Sequence, residues 1–190
     1  SAPGGGSASA AIGAIGSGLG SMVSKLTYGV RKFEEHENAL RKIIPILHNT
    51  TMSLIPMIDA DTNAFNDFVE AMRLPQKTEA EKAYRFEQMQ EGLKKAIRIP
   101  LNTMRLGDSA WEMMKECANC CNIASKSDLQ VGARSLELGI WGAYQNVLIN
   151  MKDIKDEKFK SETLQEAESM KLRAETCCKE ILNILDERSK

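Results

Sequence analysis

Asp61 lies at a core position of a long apolar seam, where an aspartate is unusual. Apolar residues recur in steps of three and four from Phe33 to Met72, which is the spacing of one face of a helix. An ionised carboxylate in apolar surroundings is costly unless it is paired, linked to water or neutral, and such groups serve as general bases or acids. We therefore consider Asp61 a candidate catalytic residue; a hydrogen-bonded structural aspartate is the alternative. The other seam positions are Leu40, Ile44, Leu47, Thr51, Leu54, Ile58, Phe65 and Phe68.

Three successive glycines, Gly4, Gly5 and Gly6, precede the first predicted helix. Glycines let the backbone approach a ligand closely, and a helix N-terminus presents free amides and partial positive charge to an anion. The Gly-Lys-Ser/Thr ending of a Walker loop is absent. The segment is a candidate binding element, although a flexible terminus or a simple helix start is the commoner explanation of such a pattern.

Two asparagines, Asn146 and Asn150, share one face of the fourth predicted helix with the small residues Gly132, Gly139 and Gly142. Buried carboxamides need partners, and a planar heterocycle with alternating donors and acceptors would satisfy them. They would be satisfied equally by capping a neighbouring helix or by fixing the register of a bundle.

Other catalytic or metal-binding arrangements are not supported by the spacing. Asp59 and Asp61 point about 200° apart on a helix, so they do not form a dyad. The run from Cys117 to Cys121 resembles half a zinc site, but His36 and His48 lie far upstream without ligand spacing, so we expect no metal. An odd total of five cysteines argues against a disulfide framework and favours a reducing cytoplasm.

The elements that would position these residues are five helices in a single domain covering residues 1–190. Sustained strand-like alternation is missing, and aromatic residues make up only 5% of the chain. Capping boxes at Thr78 and Ser127 begin two of the helices. Short turns between long helices favour an all-α antiparallel up-and-down bundle, kinked at Pro45, Pro56 and Pro100. The predicted helices cover about 7–26, 31–73, 78–116, 127–151 and 156–187.

Charge and hydropathy exclude several classes of partner. The formal net charge is −1, and basic residues are spread along the chain, so neither nucleic acid nor an anionic membrane surface is indicated. The apolar first segment is rich in glycine and serine, which suits close helix packing better than a transmembrane span. We expect the bare face of the first helix and the small face of the fourth to support a homodimer, with the pocket near its interface.

Seven stretches together resemble the cyclodeaminase domain of the formimidoyltransferase-cyclodeaminase family. The resemblance covers essentially the whole chain, in order, and the combination is specific although each stretch alone is weak. The stretches are Ala2-Pro3-Gly4-Gly5-Gly6-Ser7, Gly20-Ser21-Met22-Val23, Thr27-Tyr28-Gly29, Asp59-Ala60-Asp61, Glu70-Ala71-Met72-Arg73-Leu74-Pro75, Asn122 with Ser127-Asp128-Leu129-Gln130-Val131, and Gly142-Ala143-Tyr144-Gln145-Asn146-Val147-Leu148-Ile149-Asn150.

This resemblance implies an all-helical homodimer that converts 5-formimidoyltetrahydrofolate to 5,10-methenyltetrahydrofolate and ammonia, a step of histidine degradation. It implies no metal or redox cofactor, and it identifies Asp61 as the catalytic aspartate. It also implies a formimidoyltransferase domain in the same or another chain, and a reduced folate that can be polyglutamylated. Methenyltetrahydrofolate cyclohydrolase activity on the same fold and a non-catalytic folate-binding or helical interaction module are the alternatives.

We expect eight residues to surround the folate, from the N-terminal glycines, one turn and the fourth helix. Their amides, hydroxyl and carboxylate offer paired donors and acceptors to a pterin ring and a glutamyl tail. The alternative is that the serine caps its helix and the asparagines satisfy backbone groups. The eight residues are Gly4, Gly5, Gly6, Asn122, Ser127, Asp128, Asn146 and Asn150.

Overall fold

The computed structural model describes residues 4–190, which form six α-helices and no strand, so the all-α prediction is confirmed. Ala2 and Pro3 of the N-terminal motif lie outside the described residues. No helix in this part of the chain combines the length and apolar character needed to cross a membrane. The helices are α1 (Gly5–Thr27), α2 (Glu37–Met72), α3 (Glu79–Asp108), α4 (Trp111–Cys120), α5 (Lys126–Asn150) and α6 (Glu157–Glu187).

The predicted five long helices are present, and the sixth arises because the third predicted helix divides at Ser109 and Ala110. The capping box at Thr78 is confirmed: its hydroxyl accepts from Glu81 N at 3.2 Å, and Glu81 Oε2 accepts from Thr78 N at 2.9 Å. The capping box predicted at Ser127 is wrong. A short 3₁₀ turn over Ile123–Ser125 runs directly into α5, so the helix begins one residue before Ser127 and needs no side-chain cap there.

Helix α1 lies between α2 and α5 and runs antiparallel to both. Glycine permits the contact with α5, since a Cβ at Gly16 would lie 2.6 Å from Leu136 N and a Cβ at Gly139 would lie 2.8 Å from Gly13 Cα. The small faces of the two helices therefore pack against each other inside the subunit. They do not remain free for a second copy, so they cannot support the dimer predicted from them.

The apolar seam of α2 is buried only along its first half. Leu40, Leu47 and Leu54 are fully buried, as predicted, whereas Phe65 is 56% exposed. Asp61 is half-buried and does not lie in the apolar core. The reason is the position at which α1 begins: its first turn lies against Asp61, so beyond this point no part of α1 covers α2 within residues 4–190. The expected core aspartate is therefore an aspartate at the edge of the core.

Candidate functional site

The Asp61 carboxylate lies against the first turn of α1. Its Oδ2 accepts hydrogen bonds from Ser7 N at 2.8 Å and from Ser7 Oγ at 3.1 Å. Helix α1 has no acidic residue in its first turn, and its N-cap, Gly4, has no side chain to accept a bond. Asp61 thus supplies from α2 the hydrogen-bond acceptor that the α1 N-terminus lacks.

Glycine is required at position 6 because the Asp61 carboxylate occupies the space of a side chain. A Cβ added at Gly6 would overlap all three atoms of the carboxylate group. At Gly4 a Cβ would lie 3.7 Å from Asp61 Oδ2, which is an ordinary contact. The N-terminal glycines were predicted to let the backbone approach a ligand, and in the structure Gly6 lets it approach the aspartate itself.

The end of α5 closes the opposite side of the site. Asn146 Nδ2 donates to Gly142 O at 2.8 Å, and Asn150 Nδ2 donates to Asn146 O at 3.0 Å and to Ala96 O at 3.3 Å. The side-chain amide of Asn146 thus satisfies one backbone carbonyl and that of Asn150 satisfies two, in agreement with the structural alternative. Among residues 4–190 no protein group donates to either side-chain oxygen, so both oxygens remain able to accept a hydrogen bond from a ligand.

A pocket of about 360 Å³ lies between these two groups. Asp61, Asn146 and Asn150 supply part of its polar lining, and Phe65 and Ile149, 56% and 62% exposed, supply apolar walls. A few convergent polar groups beside apolar surface are typical of sites for small organic ligands. The remaining lining residues are Gly4, Gly5, Thr62, Asn66 and Ala96.

The other three predicted ligand-binding residues lie at the far end of α5. Asp128 is separated from Asn146 by roughly 27 Å, given 1.5 Å of rise per residue. Asn122 Oδ1 accepts from Ala124 N at 3.1 Å and caps a 3₁₀ turn, and Ser127 is exposed. Within this chain, the structure therefore does not bring Asn122, Ser127 and Asp128 to the pocket. Of the other five predicted residues, four line the pocket, and Gly6 lies against Asp61 without lining it.

The three cysteines of the Cys117 to Cys121 run also lie at that far end, and all three are buried. A hydrogen bond from Cys117 and the nearby Arg188 guanidinium lower the pKa of Cys121 to about 7, whereas burial raises the pKa of Cys120 to about 11. Among residues 4–190 no set of three His, Cys, Asp or Glu side chains is arranged to hold a metal ion. None of these three cysteines lines the Asp61 pocket.

Sequence reasoning overlooked Ser7, Thr62 and the apolar walls. Ser7 is 1% exposed and makes the closest polar contacts of Asp61. The available signal was its place at the third position of a helix that starts without a capping side chain, since that backbone amide requires an acceptor from elsewhere. The register that pairs it with Asp61 is tertiary and does not follow from local pattern.

The comparisons with known proteins agree over almost the entire chain. Residues 1–169 match the sequence profile of the family described as formiminotransferase-cyclodeaminase. Formimidoyltransferase-cyclodeaminase of Gallus gallus is 43% identical over 98% of this chain and 35% of its own length, and that of Dictyostelium discoideum is 45% identical over 98% and 34%. The chain thus spans about a third of the length of these relatives.

Two further similarities involve proteins of a size closer to this chain. Methenyltetrahydrofolate cyclohydrolase of Methylorubrum extorquens is 36% identical over 88% of this chain and 81% of its own length. The crystal structure of formiminotetrahydrofolate cyclodeaminase from Thermotoga maritima superimposes with a TM-score of 0.86 at 25% identity, over 99% of this chain and 90% of that chain. The profile, the relatives and the shared fold show that this chain belongs to the formiminotransferase-cyclodeaminase family.

Proposed function

We propose that this chain is a formimidoyltetrahydrofolate cyclodeaminase, which converts 5-formimidoyltetrahydrofolate to 5,10-methenyltetrahydrofolate and ammonia. The observation that carries the proposal is the Asp61 carboxylate, which is held at one oxygen by Ser7 and lines a pocket beside two asparagine side chains. The names of the relatives supply the substrate class.

The chemistry requires one group that both accepts and returns a proton. N10 of the folate attacks the carbon of the protonated formimidoyl group on N5, so that an N10–C bond forms and the exocyclic nitrogen becomes an amine. The Asp61 carboxylate takes the proton that N10 loses and returns it to this amine. The C–N bond then breaks, the N5 lone pair completes the methenyl cation, and ammonia leaves. Neither electrons nor a further reactant are exchanged, so the proposal includes no metal or redox cofactor.

The pocket walls suit the two parts of such a substrate. Phe65 and Ile149 offer apolar faces to a flat pterin ring, and the side-chain oxygens of Asn146 and Asn150 can accept hydrogen bonds from its ring nitrogens or amino group. The backbone at Gly4 and Gly5 lines the same pocket and is free of side chains. These residues form the folate-binding set that we propose within this chain.

The test is an assay of ammonia release from 5-formimidoyltetrahydrofolate by the purified chain alone. We expect turnover, with methenyltetrahydrofolate appearing at the same rate as ammonia, because ring closure and loss of ammonia are steps of one reaction. Absence of both products, at concentrations where calorimetry shows reduced folate bound, would replace the enzyme with a folate-binding module.

A second candidate function is methenyltetrahydrofolate cyclohydrolase, favoured by the Methylorubrum extorquens relative, of which this chain covers 81%. In that reaction Asp61 would take a proton from water attacking the methenyl carbon in the same pocket. The two functions are separated by giving the chain each substrate in parallel. Cyclodeamination faster than hydrolysis supports the first proposal, and the reverse order supports the second.

We also propose that the chain acts in the cytoplasm as a homodimer, with a formimidoyltransferase in the same or another chain supplying its substrate. The dimer is supported by apolar side chains that remain exposed after the small faces of α1 and α5 have packed, notably Ile15 at 56%, Leu138 at 49% and Trp141 at 48%. Analytical ultracentrifugation at micromolar concentration is the test, and a fully active monomer would contradict the dimer.

A further inference from the structure

Ser7 is the residue that holds the Asp61 carboxylate. It is almost completely buried, and both its backbone N–H and its hydroxyl lie within hydrogen-bond distance of the same carboxylate oxygen, Oδ2. Two donors from one residue fix the position of Oδ2 and the orientation of the carboxylate plane. Gly6, directly before Ser7, leaves space for the other oxygen, Oδ1, because a Cβ at Gly6 would overlap that oxygen.

The Ser7 hydroxyl has one hydrogen but three acceptors within reach. Ile58 O lies at 2.9 Å, Asp61 Oδ2 at 3.1 Å and Thr62 Oγ1 at 3.2 Å. The hydroxyl can therefore donate to Asp61 while the carboxylate is charged, and turn to Ile58 O when the carboxyl carries a proton. This rotation keeps the hydroxyl bonded in both states, whereas the backbone N–H cannot turn away.

The second carboxylate oxygen, Oδ1, accepts no hydrogen bond from residues 4–190. Charged side chains elsewhere do not compete for it. Helix α1 carries no charge before Lys25, α5 presents Asn146 and Asn150, and on α2 Asp59 is exposed. On α3, Lys95 pairs with Asp67 and Lys94 with Asp156 and Glu91. Oδ1 is thus the acceptor left for a proton from a ligand.

We infer that Ser7 is a positioning residue for the Asp61 base, which holds Oδ2 so that Oδ1 exchanges the proton with the substrate. The inference rests on the proposed function. Ser7 acts through Asp61 and does not touch the reacting atoms. Its loss should reduce the rate of the proton-transfer steps and leave the affinity for folate nearly unchanged, because Ser7 does not line the pocket.

The test compares Ser7→Ala with Ser17→Ala. Ser17 is a matched control, because it is a fully buried serine of the same helix. Its hydroxyl lies 2.9 Å from Thr51 Oγ1 on α2, further along the helix and away from the site. Both variants lose one hydroxyl between α1 and α2 and should lose similar thermal stability. We expect kcat of Ser7→Ala to fall by about 10-fold to 100-fold with KM within twofold of wild type, and kcat of Ser17→Ala to stay unchanged.

A second measurement does not depend on turnover. In ¹³C NMR at neutral pH, the chemical shift of the Asp61 side-chain carbonyl should change in Ser7→Ala, because the carboxylate has lost a hydrogen-bond donor, and should not change in Ser17→Ala. Unchanged kcat and an unchanged Asp61 carbonyl shift in Ser7→Ala would overturn the inference. If wild type releases no ammonia, the proposed function fails, and the NMR comparison still decides whether Ser7 controls the carboxylate.

Discussion

Both ends of α1 carry buried hydroxyl side chains, but those of the first turn lie beside a pocket and those of the last turns are enclosed by the protein. In the first turn, Ser7 donates to a carboxylate whose second oxygen has no protein donor within residues 4–190, beside a pocket of about 360 Å³. In the last turns, Ser24 donates to Gly20 O at 2.9 Å and contacts Cys117 Sγ at 3.1 Å, and Thr27 Oγ1 accepts from Asn122 N at 3.0 Å. Ser24 and Thr27 are both fully buried.

The far end is therefore a closed polar cluster, and the near end is an open one. At the far end Arg188 also donates to Ala118 O at 2.6 Å and Cys121 O at 2.9 Å, which satisfies carbonyls at the end of α4. Each of these polar groups stabilises the bundle and leaves nothing for a ligand. Chemistry requires an acceptor without a protein partner next to open space, and the Asp61 end provides both.

Replacing Gly6 should disrupt the Asp61 end and cause a large loss of activity. A methyl group at Gly6 would overlap the Asp61 carboxylate, so the side chain must leave its place against Ser7. We expect Gly6→Ala to lose at least about 100-fold in kcat, since misplacing a catalytic group by about 1 Å has that cost. Steady-state assay of ammonia release provides the measurement.

Gly18→Ala is the control for this substitution. It lies in the same helix, and its Cβ would meet Thr51 at an ordinary 3.7 Å. It should keep full activity, with stability equal to or slightly above wild type because alanine favours the helix. Full activity of Gly6→Ala would mean that the carboxylate position seen here is not the catalytic one.

Asn146 tests the ligand-binding role of the open end. Truncation to alanine removes one of the two free amide oxygens of the pocket, and we expect reduced folate to bind more weakly by roughly 1–3 kcal/mol, the usual cost of leaving a buried polar partner unsatisfied. Calorimetric titration with a non-reacting reduced folate measures the change. The exposed Lys155 serves as the control, and equal affinities of Asn146→Ala and Lys155→Ala would place the ligand elsewhere.

Replacement of Asn122 tests the closed end. It should change the stability of the protein and not its affinity for folate, and the change should be small. Asn122→Ala removes the side chain that caps the 3₁₀ turn, which should lower the free energy of unfolding by about 0.5–2 kcal/mol. Folate affinity should not change. Urea denaturation and the same calorimetric titration give the two quantities. Weaker folate binding with unchanged stability would show that this end contributes to a binding site.

The sequence predicted those features that depend on local pattern. The helix spacing, the capping box at Thr78 and the helical class follow from periodicity and from hydrogen bonds between near neighbours. Asp61 was selected because an acidic residue interrupted an apolar period. Its actual surroundings differ, because burial of α2 depends on where α1 begins, and that is a property of the pairing of two distant segments.

The ligand-binding set shows the same limit. Asn146 and Asn150 were expected to share a helix face, and both line the pocket. Asn122, Ser127 and Asp128 belong to one of the matching stretches, but a helix of 25 residues separates them from the pocket. The glycine faces likewise predicted close packing, and only the three-dimensional arrangement shows that α1 and α5 pack on each other within one subunit.

The central claim is that the Asp61 carboxylate is the base, and comparison of Asp61→Asn with Asp59→Asn tests it most directly. Both substitutions remove one acid at nearly the same point of α2, but Asp59 is exposed and absent from the pocket lining. Asparagine at position 61 keeps the size and can still accept from Ser7 N. We predict that Asp61→Asn loses on the order of 10²-fold to 10⁴-fold in the rate of ammonia release while Asp59→Asn keeps the wild-type rate. A folded Asp61→Asn variant with undiminished ammonia release would contradict the account.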